Sequence, residues 1–353
     1  MSSVSNLPLR TLVVNAGSSS LKLSLLGEDD DPLAERELET PAAEVDPVEL
    51  TEALDAGGFR AADAVGHRIV HGGERFREAV RVDAEVRREL GRLTALAPLH
   101  QPKSLGALDA VSSELPEIPA VACFDTAFHA TMPPAARTYA LPADWRERWG
   151  LRRFGFHGLS HSYIARRVPE LMGAPAAEVR IVSCHLGAGA SLCAIAGGRS
   201  VDTTMGFTPL EGLVMATRSG NVDPGLLLWL LEHARLPDRE LAWALEHESG
   251  LKGLAGSADM REVLAARADG EERAALAIGV YLHRLRAAIA AMIAAIGGVD
   301  AIAFTGGVGE RSEEIRSEAV AGLGFLGSDP QVLVVPARED LEIVRQTRTL
   351  LEG

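Results

Sequence analysis

At 353 residues the chain is longer than one comfortable hydrophobic core, so two domains are expected. Its 47% hydrophobic and 24% charged residues mark a globular chain with ample apolar surface to bury. The formal net charge of −14, with no compensating basic block, argues against a nucleic-acid partner.

The opening MSSVSNLPLR has no apolar stretch of signal-peptide length. Residues 11–26, TLVVNAGSSSLKLSLL, place two apolar runs around a small polar turn. Val13 and Val14 against Leu21, Leu23 and Leu25 predict a β-hairpin with its tip at residues 15–20. Such a tip offers backbone N–H groups and hydroxyls with no bulk in front of them, as a phosphate requires. An ordinary Gly/Ser turn is the alternative. Residues 27–60 are acidic and read as a surface excursion.

Residues 64–73, AVGHRIVHGG, predict a strand with Arg68 and Val70 on one face and His67, Ile69 and His71 on the other. The two histidines would lie about 13 Å apart along it, too far to share a metal ion. A helix N-capped by Asp83 is expected over residues 83–95, ended by a loop at 97–102. Residues 121–124 form an apolar strand ending at Asp125, where α/β proteins place ligand contacts. The other reading of Asp125 is an N-cap for the next helix.

In RRFGFHGLSHSYIARR, His157 follows Phe156 and precedes a helix, so it lies near a positive helix end suited to a phosphoryl group. A core histidine is the alternative. Residues 181–195, IVSCHLGAGASLCAI, repeat the first hairpin, with His185 standing where Asn15 stood and Gly187 and Gly189 in the turn. That repeat is the signature of a duplicated α/β domain. Residues 200–225 are long, irregular and glycine-punctuated, with Arg218 between Thr217 and Ser219 placed like an anion clamp. The apolar run at 287–296 is too short to span a bilayer and predicts a buried helix, so no membrane association is expected. Residues 301–304 predict a strand feeding a glycine-rich turn, with a helix from about residue 312, a generic nucleotide cradle without a Walker GK[ST] ending. A last strand at 332–335 leads to Glu339 and a closing helix. Cys123, Cys184 and Cys193 lie in apolar runs without a CxxC pair, as structural thiols of a cytoplasmic protein would.

The motifs VVNAGSSSLK, GHRIVHGG, APLHQP, FDTAFH, RRFGFHGLSH, SCHLGAGAS, MGFTPLEGLVMATRSG, ADMREV and FTGGVGE, in this order over nearly the whole chain, resemble the acetate and propionate kinase family. That family sits within the superfamily of acetate and sugar kinases, heat-shock chaperones and actin. The resemblance implies an α/β fold of duplicated ribonuclease-H-like (actin-like ATPase) domains with an active-site cleft between them. Residues 1–127 with 341–353 would form one domain, and residues 128–340 the nucleotide and dimer side. It further implies ATP as cosubstrate, Mg²⁺ or Mn²⁺, acetate or another short-chain carboxylate as acceptor, ADP as product, and a homodimer.

Carried over position by position, the resemblance assigns Asn15, Asp125 and Glu339 to the metal and phosphates, with Ser18, Ser20 and Lys22 nearby. It assigns Arg68 and Arg218 to the carboxylate and the transferred phosphoryl, and His157 with Arg218 to the transition state. His100 and His185 become further active-site histidines. Val70, Leu99, Phe156 and Pro209 become the acyl pocket, and His185, Gly187, Gly189, Asp259, Arg261, Gly307 and Gly309 the nucleotide site. The chemistry is coherent: a carboxylate nucleophile is already ionised, so catalysis rests on positioning and on positive charge around the phosphoryl.

The chain departs from the family pattern at Ala188, Arg311 and Arg338, on the phosphate side, and at Ala216 and Asn221; it is also shorter across 27–60 and 226–250. Propionate as acceptor and pyrophosphate as donor therefore stand as alternatives, as does a nucleotide-binding protein without turnover.

Overall fold

The computed structural model describes residues 9–17, 20–39, 46–97, 100–327 and 329–352; Ser18 and Leu99 lie outside the described residues. The chain divides into two compact units, one of residues 1–130, 158–163 and 338–353, the other of residues 131–157 and 164–337.

The first unit carries six strands: β1 (Thr11–Ala16), β2 (Ser20–Leu26), β3 (Pro32–Glu39), β4 (Ala64–Ile69), β5 (Val80–Arg81) and β6 (Ala120–Phe124), in sheet order β3-β2-β1-β4-β6-β5. The hairpin forms as its pattern predicts, with β1 antiparallel to β2 and β2 to β3, while β1, β4 and β6 run parallel. Alternation splits the side chains. Leu12, Val14 and Val65 pack with Leu50, Leu54 and Val111 on one face. Val13, Val121 and Cys123 pack on the other face with Leu159, Ile343 and Val344, the last two from the closing helix Glu339–Glu352.

Residues 27–60 are not a mere surface excursion. They hold β3 and a helix, Pro47–Ala56, that buries Leu50, Ala53 and Leu54, followed by the fully buried Phe59. Asp46 caps the helix, its carboxylate accepting from the backbone N–H groups of Val48 and Glu49, and Pro47 starts it. The apolar spacing 50, 53, 54 outweighs the acidic composition. The strand expected over 64–73 stops at Ile69, and beyond it the chain turns, Gly73 N–H donating to His71 Nδ1 (2.8 Å). Asp83 caps its helix (Ala84–Arg92) as expected. Gln101 and Pro102, expected in the loop that follows, already belong to the helix Gln101–Glu114.

The second unit repeats the path. Strands β7 (Arg180–Leu186), β8 (Ala190–Ala196), β9 (Arg199–Thr203), β10 (Ala301–Thr305) and β11 (Gln331–Val334) lie in the order β11-β10-β7-β8-β9, antiparallel from β7 to β9 and parallel from β7 through β10 to β11. The apolar run at 287–296 is the latter part of a longer helix, Glu272–Ala295. By length and composition alone that helix is enough to cross a membrane, yet Ala277, Ile278, Tyr281, Leu282, Leu285 and Ile289 are buried within the unit. The glycine-rich turn after β10 is itself a helix, Gly306–Arg311, followed by a second, Glu313–Ala321. Gly306 at φ +78° turns the chain, and its N–H donates to Glu310 Oε1 (3.0 Å).

Candidate functional site

In the first unit three neighbouring parallel strands deliver polar residues at their carboxyl ends. The β1/β4 register, which pairs Val14 with His67, places Asn15 and Arg68 next, and Asp125 follows β6. Arg68 Nη2 donates to Asp125 Oδ2 (2.7 Å), Arg68 Nε to both Asp125 oxygens (3.1 and 3.2 Å), and Arg68 Nη1 to Asn15 Oδ1 (3.1 Å). Asn15 Nδ2 donates to Glu339 Oε2 (3.3 Å), which lies 3.8 Å from Arg68 Nη1. Asp125 is thus an ion-pair partner rather than a helix cap. The closing helix brings Glu339 here because Gly66 on β4 has no side chain: a Cβ there would stand 2.5 Å from Ile343 Cγ2, one turn beyond Glu339. Burial drives the Asp125 carboxyl upward and Arg68 pulls against it. Burial lowers the Arg68 guanidinium, but Asp125 and Glu339 outweigh it and hold it protonated.

The atoms that face Arg68 are all oxygens, from two carboxylates and an amide, those of Asp125 and Asn15 accepting from it. Mg²⁺ prefers that set, binding through one or two carboxylates while waters and substrate phosphates complete the shell. The residues present therefore fit a hard divalent cation. Ser20 and Lys22 do not join the group, as Ser20 Oγ donates to Glu37 Oε1 (2.6 Å) and Lys22 Nζ lies 3.8 Å from Glu37 Oε2. Val70 is buried in this unit, and His100 precedes the helix Gln101–Glu114.

The second unit gathers a separate group. His157 takes a left-handed backbone, φ +55°, immediately before the helix Gly158–Met172. Its Nδ1 shares a 2.9 Å hydrogen bond with Ser191 Oγ, and its ring lies 4.3 Å, centroid to centroid, from that of His185. His185 and Ser191 face each other across the β7/β8 register. The turn between those strands is closed by Gly187 N–H donating to the Gly189 carbonyl (2.9 Å). A Cβ on Gly189 would stand 3.4 Å from both Arg218 Nη1 and His157 Cε1, so bare backbone, a guanidinium and an imidazole meet at one point. Phe156 is fully buried beside His157 in the chain. Arg218 Nη1 lies within 3.4 Å of the Pro209 carbonyl, and Arg218 Nε is 3.3 Å from Glu246 Oε2. Burial lowers the Arg218 guanidinium and Glu246 raises it.

The remaining nucleotide-side residues are dispersed. Asp259 caps the helix Met260–Ala268 and pairs with the exposed Arg261, which holds its carboxyl down at about 2. Gly307 is exposed and Gly309 buried, both inside the short helix Gly306–Arg311. Of the departures from the family pattern, Ala188 and Arg311 are exposed and Arg338 pairs with Asp340 (2.8 Å).

Three features escaped the sequence. Ser191 partners His157, and the repeat of the hairpin, which puts it opposite His185, was the signal available. Glu246 pairs with Arg218 from 28 residues away, without a periodic pattern to mark it. Tyr139 Oη and Arg153 Nη2 both donate to Glu211 (2.5 Å each), and Arg153 Nη1 also reaches the Thr203, Thr204 and Met205 carbonyls, pinning the irregular segment that carries Pro209.

Two sheets of the same path, each with polar groups gathered at the ends of its central strands, define a duplicated ribonuclease-H-like protein of the actin-like ATPase class. Residues 56–349 match the sequence profile of the Acetokinase family. A curated acetate kinase of Deinococcus radiodurans is 43% identical over 97% of this chain and 98% of its own length. Among solved structures, Porphyromonas gingivalis acetate kinase superposes with a TM-score of 0.88 at 37% identity, over 97% of this chain and 99% of that one. A propionate kinase of Francisella tularensis superposes at 0.89 with 31% identity over 97% and 99%. The chain belongs to the acetate kinase family, a family of phosphotransferases with a carboxyl group as acceptor.

Proposed function

We propose that the chain catalyses the reversible, Mg²⁺-dependent transfer of the γ-phosphoryl group of ATP to acetate, giving acetyl phosphate and ADP. One observation carries the reading: Arg218 and His157 converge on the bare backbone of Gly189, a donor-lined spot without side-chain bulk. An acetate oxygen attacks the γ-phosphorus, the bond to the β,γ-bridging oxygen breaks, and ADP leaves with that electron pair. No proton need be removed from the nucleophile. In this reading Arg68 aligns the carboxylate, Arg218 holds the phosphoryl oxygens through its planar fork, and His157, oriented by Ser191, donates to the charge spread over them. Asn15, Asp125 and Glu339 would hold Mg²⁺, which when bound neutralises phosphate charge. Val70, Phe156 and Pro209 favour a short acyl chain, although one methylene is worth only about 1–3 kcal/mol.

We place the enzyme in the cytoplasm, in keeping with three buried cysteines that form no disulfide. We also assign it a homodimer through the exposed apolar residues of the second unit, Leu226, Leu228, Trp229 and Trp243.

The test is trapping of acyl phosphate by hydroxylamine with Mg²⁺ and acetate, offering ATP and pyrophosphate in parallel. The expected result is signal with ATP that falls about 10²- to 10³-fold in Arg218→Ala. Signal with pyrophosphate alone would transfer the reading to that donor, which the exposed Ala188 and the occupied Arg338 favour. Signal rising with propionate would match the acceptor to that named for the Francisella relative. Silence with every donor and acceptor would overturn turnover altogether.

A further inference from the structure

Arg218 sits in an irregular segment with no regular element of its own, and a guanidinium on a long side chain loses aim unless something fixes it. The segment is clasped from one side by a single π-helical turn, Ala244–Glu248. Thr217 Oγ1 donates to the Glu246 carbonyl (2.8 Å), Ser219 N–H to the Leu245 carbonyl (3.1 Å), and Ser249 N–H to the Thr217 carbonyl (2.9 Å). Just beyond the turn, Leu251 and Lys252 N–H donate to the Met215 and Ala216 carbonyls. The π turn widens the end of the helix Asp238–Trp243 and stops at Ser249, whose backbone is extended. Within it lies Glu246, whose carboxylate meets the Nε edge of Arg218 at 3.3 Å. Pro209 takes Nη1 from a second direction.

We infer that Glu246 is the positioning residue of Arg218: by holding Nε, while Pro209 takes Nη1, it fixes the plane in which the guanidinium meets the phosphoryl group. It touches no reacting atom. Its side chain is distinct from the backbone clasp, because Thr217 and Ser219 bind the main chain of the π turn. Removing the carboxylate therefore releases the Nε edge alone and leaves the loop in place.

This inference rests on the phosphoryl-transfer reading, and a double-mutant cycle separates the two. Wild type, Glu246→Ala, Arg218→Ala and the double variant are assayed for kcat and KM. Glu246→Ala should lower kcat about 10- to 100-fold with KM for acetate within about threefold, the scale expected for a misaimed group. In the Arg218→Ala background the same change should cost less than about twofold. Glu246→Gln, which keeps an oxygen for Nε, should recover most of the loss. If Glu246→Ala does not fold, Glu246→Asp, which retracts the carboxylate by one methylene, replaces it in the cycle with the same expectations. An equal loss in both backgrounds, a Gln variant no better than Ala, or a kcat raised by Glu246→Ala would overturn the inference. Full activity in Arg218→Ala would instead overturn the reading of Arg218 itself.

Discussion

His67 lies on β4 next to Arg68 but points into the opposite face of the sheet, where neither ring nitrogen has a hydrogen-bond partner among the described residues. Burial pulls its pKa from the ordinary 6.5 to about 3, so the native ring is neutral. The unfolded chain binds this proton below pH 6.5 and the native chain does not until about pH 3. Stability therefore falls as pH drops through that window, by about 1.4 kcal/mol per unit for one proton. His67→Phe removes the proton and keeps an aromatic ring in the slot. Urea unfolding of the variant should lose roughly 3 kcal/mol less than wild type between pH 6.5 and 4. Equal losses in the two proteins would show that His67 does not set the acid sensitivity. His71, lowered by burial to about 4, leaves a second, smaller contribution in place.

At the scale of elements, the helix Gly158–Met172 starts from a residue in the left-handed region. His157 holds φ +55°, a conformation that costs a side-chain-bearing residue about 1 kcal/mol and glycine almost nothing. His157→Gly and His157→Ala both remove the imidazole and should both lose turnover. By urea unfolding, however, the Gly variant should be about 1 kcal/mol more stable than the Ala variant. The reverse order would mean that the chain relaxes out of the left-handed region once the imidazole–Ser191 bond is gone. Elements such as these were legible where local chemistry and long-range demand agree. The hairpin at Thr11–Ala16 and Ser20–Leu26 alternates cleanly around a small-residue turn, and β6 ends at the aspartate that meets Arg68. The helix Pro47–Ala56 was hidden because acidic surface residues dominate its composition while three buried positions fix it. The Gly306–Arg311 segment read as a turn because glycine disfavours helices, yet Glu310 reaches back to cap it. The Glu246–Arg218 pair had no local signature, since a π turn breaks the 3.6-residue period on which helix reading depends.

For the whole molecule, the repeat seen in the hairpins extends to five strands of each sheet, β3-β2-β1-β4-β6 matching β9-β8-β7-β10-β11 with β5 added in the first, although the two halves no longer carry the same chemistry. Asn15 near the end of β1 binds Arg68 and Glu339, whereas His185 near the end of β7 lies ring to tilted ring against His157. The second half also exposes Leu226, Leu228, Trp229 and Trp243 within a short span. Trp229→Glu combined with Leu228→Glu should halve the mass measured by sedimentation while leaving the melting temperature within a few degrees. A wild-type chain that sediments as one copy would overturn the homodimer.

The three cysteines have a practical consequence. Cys123 and Cys193 are fully buried with thiols raised by desolvation to about 12, and Cys184 is raised by the same cause. At neutral pH almost no thiolate is available for alkylation. A cysteine introduced on the surface is then the single reactive handle of the chain, and a fluorophore or spin label can be attached there with the native cysteines left untouched.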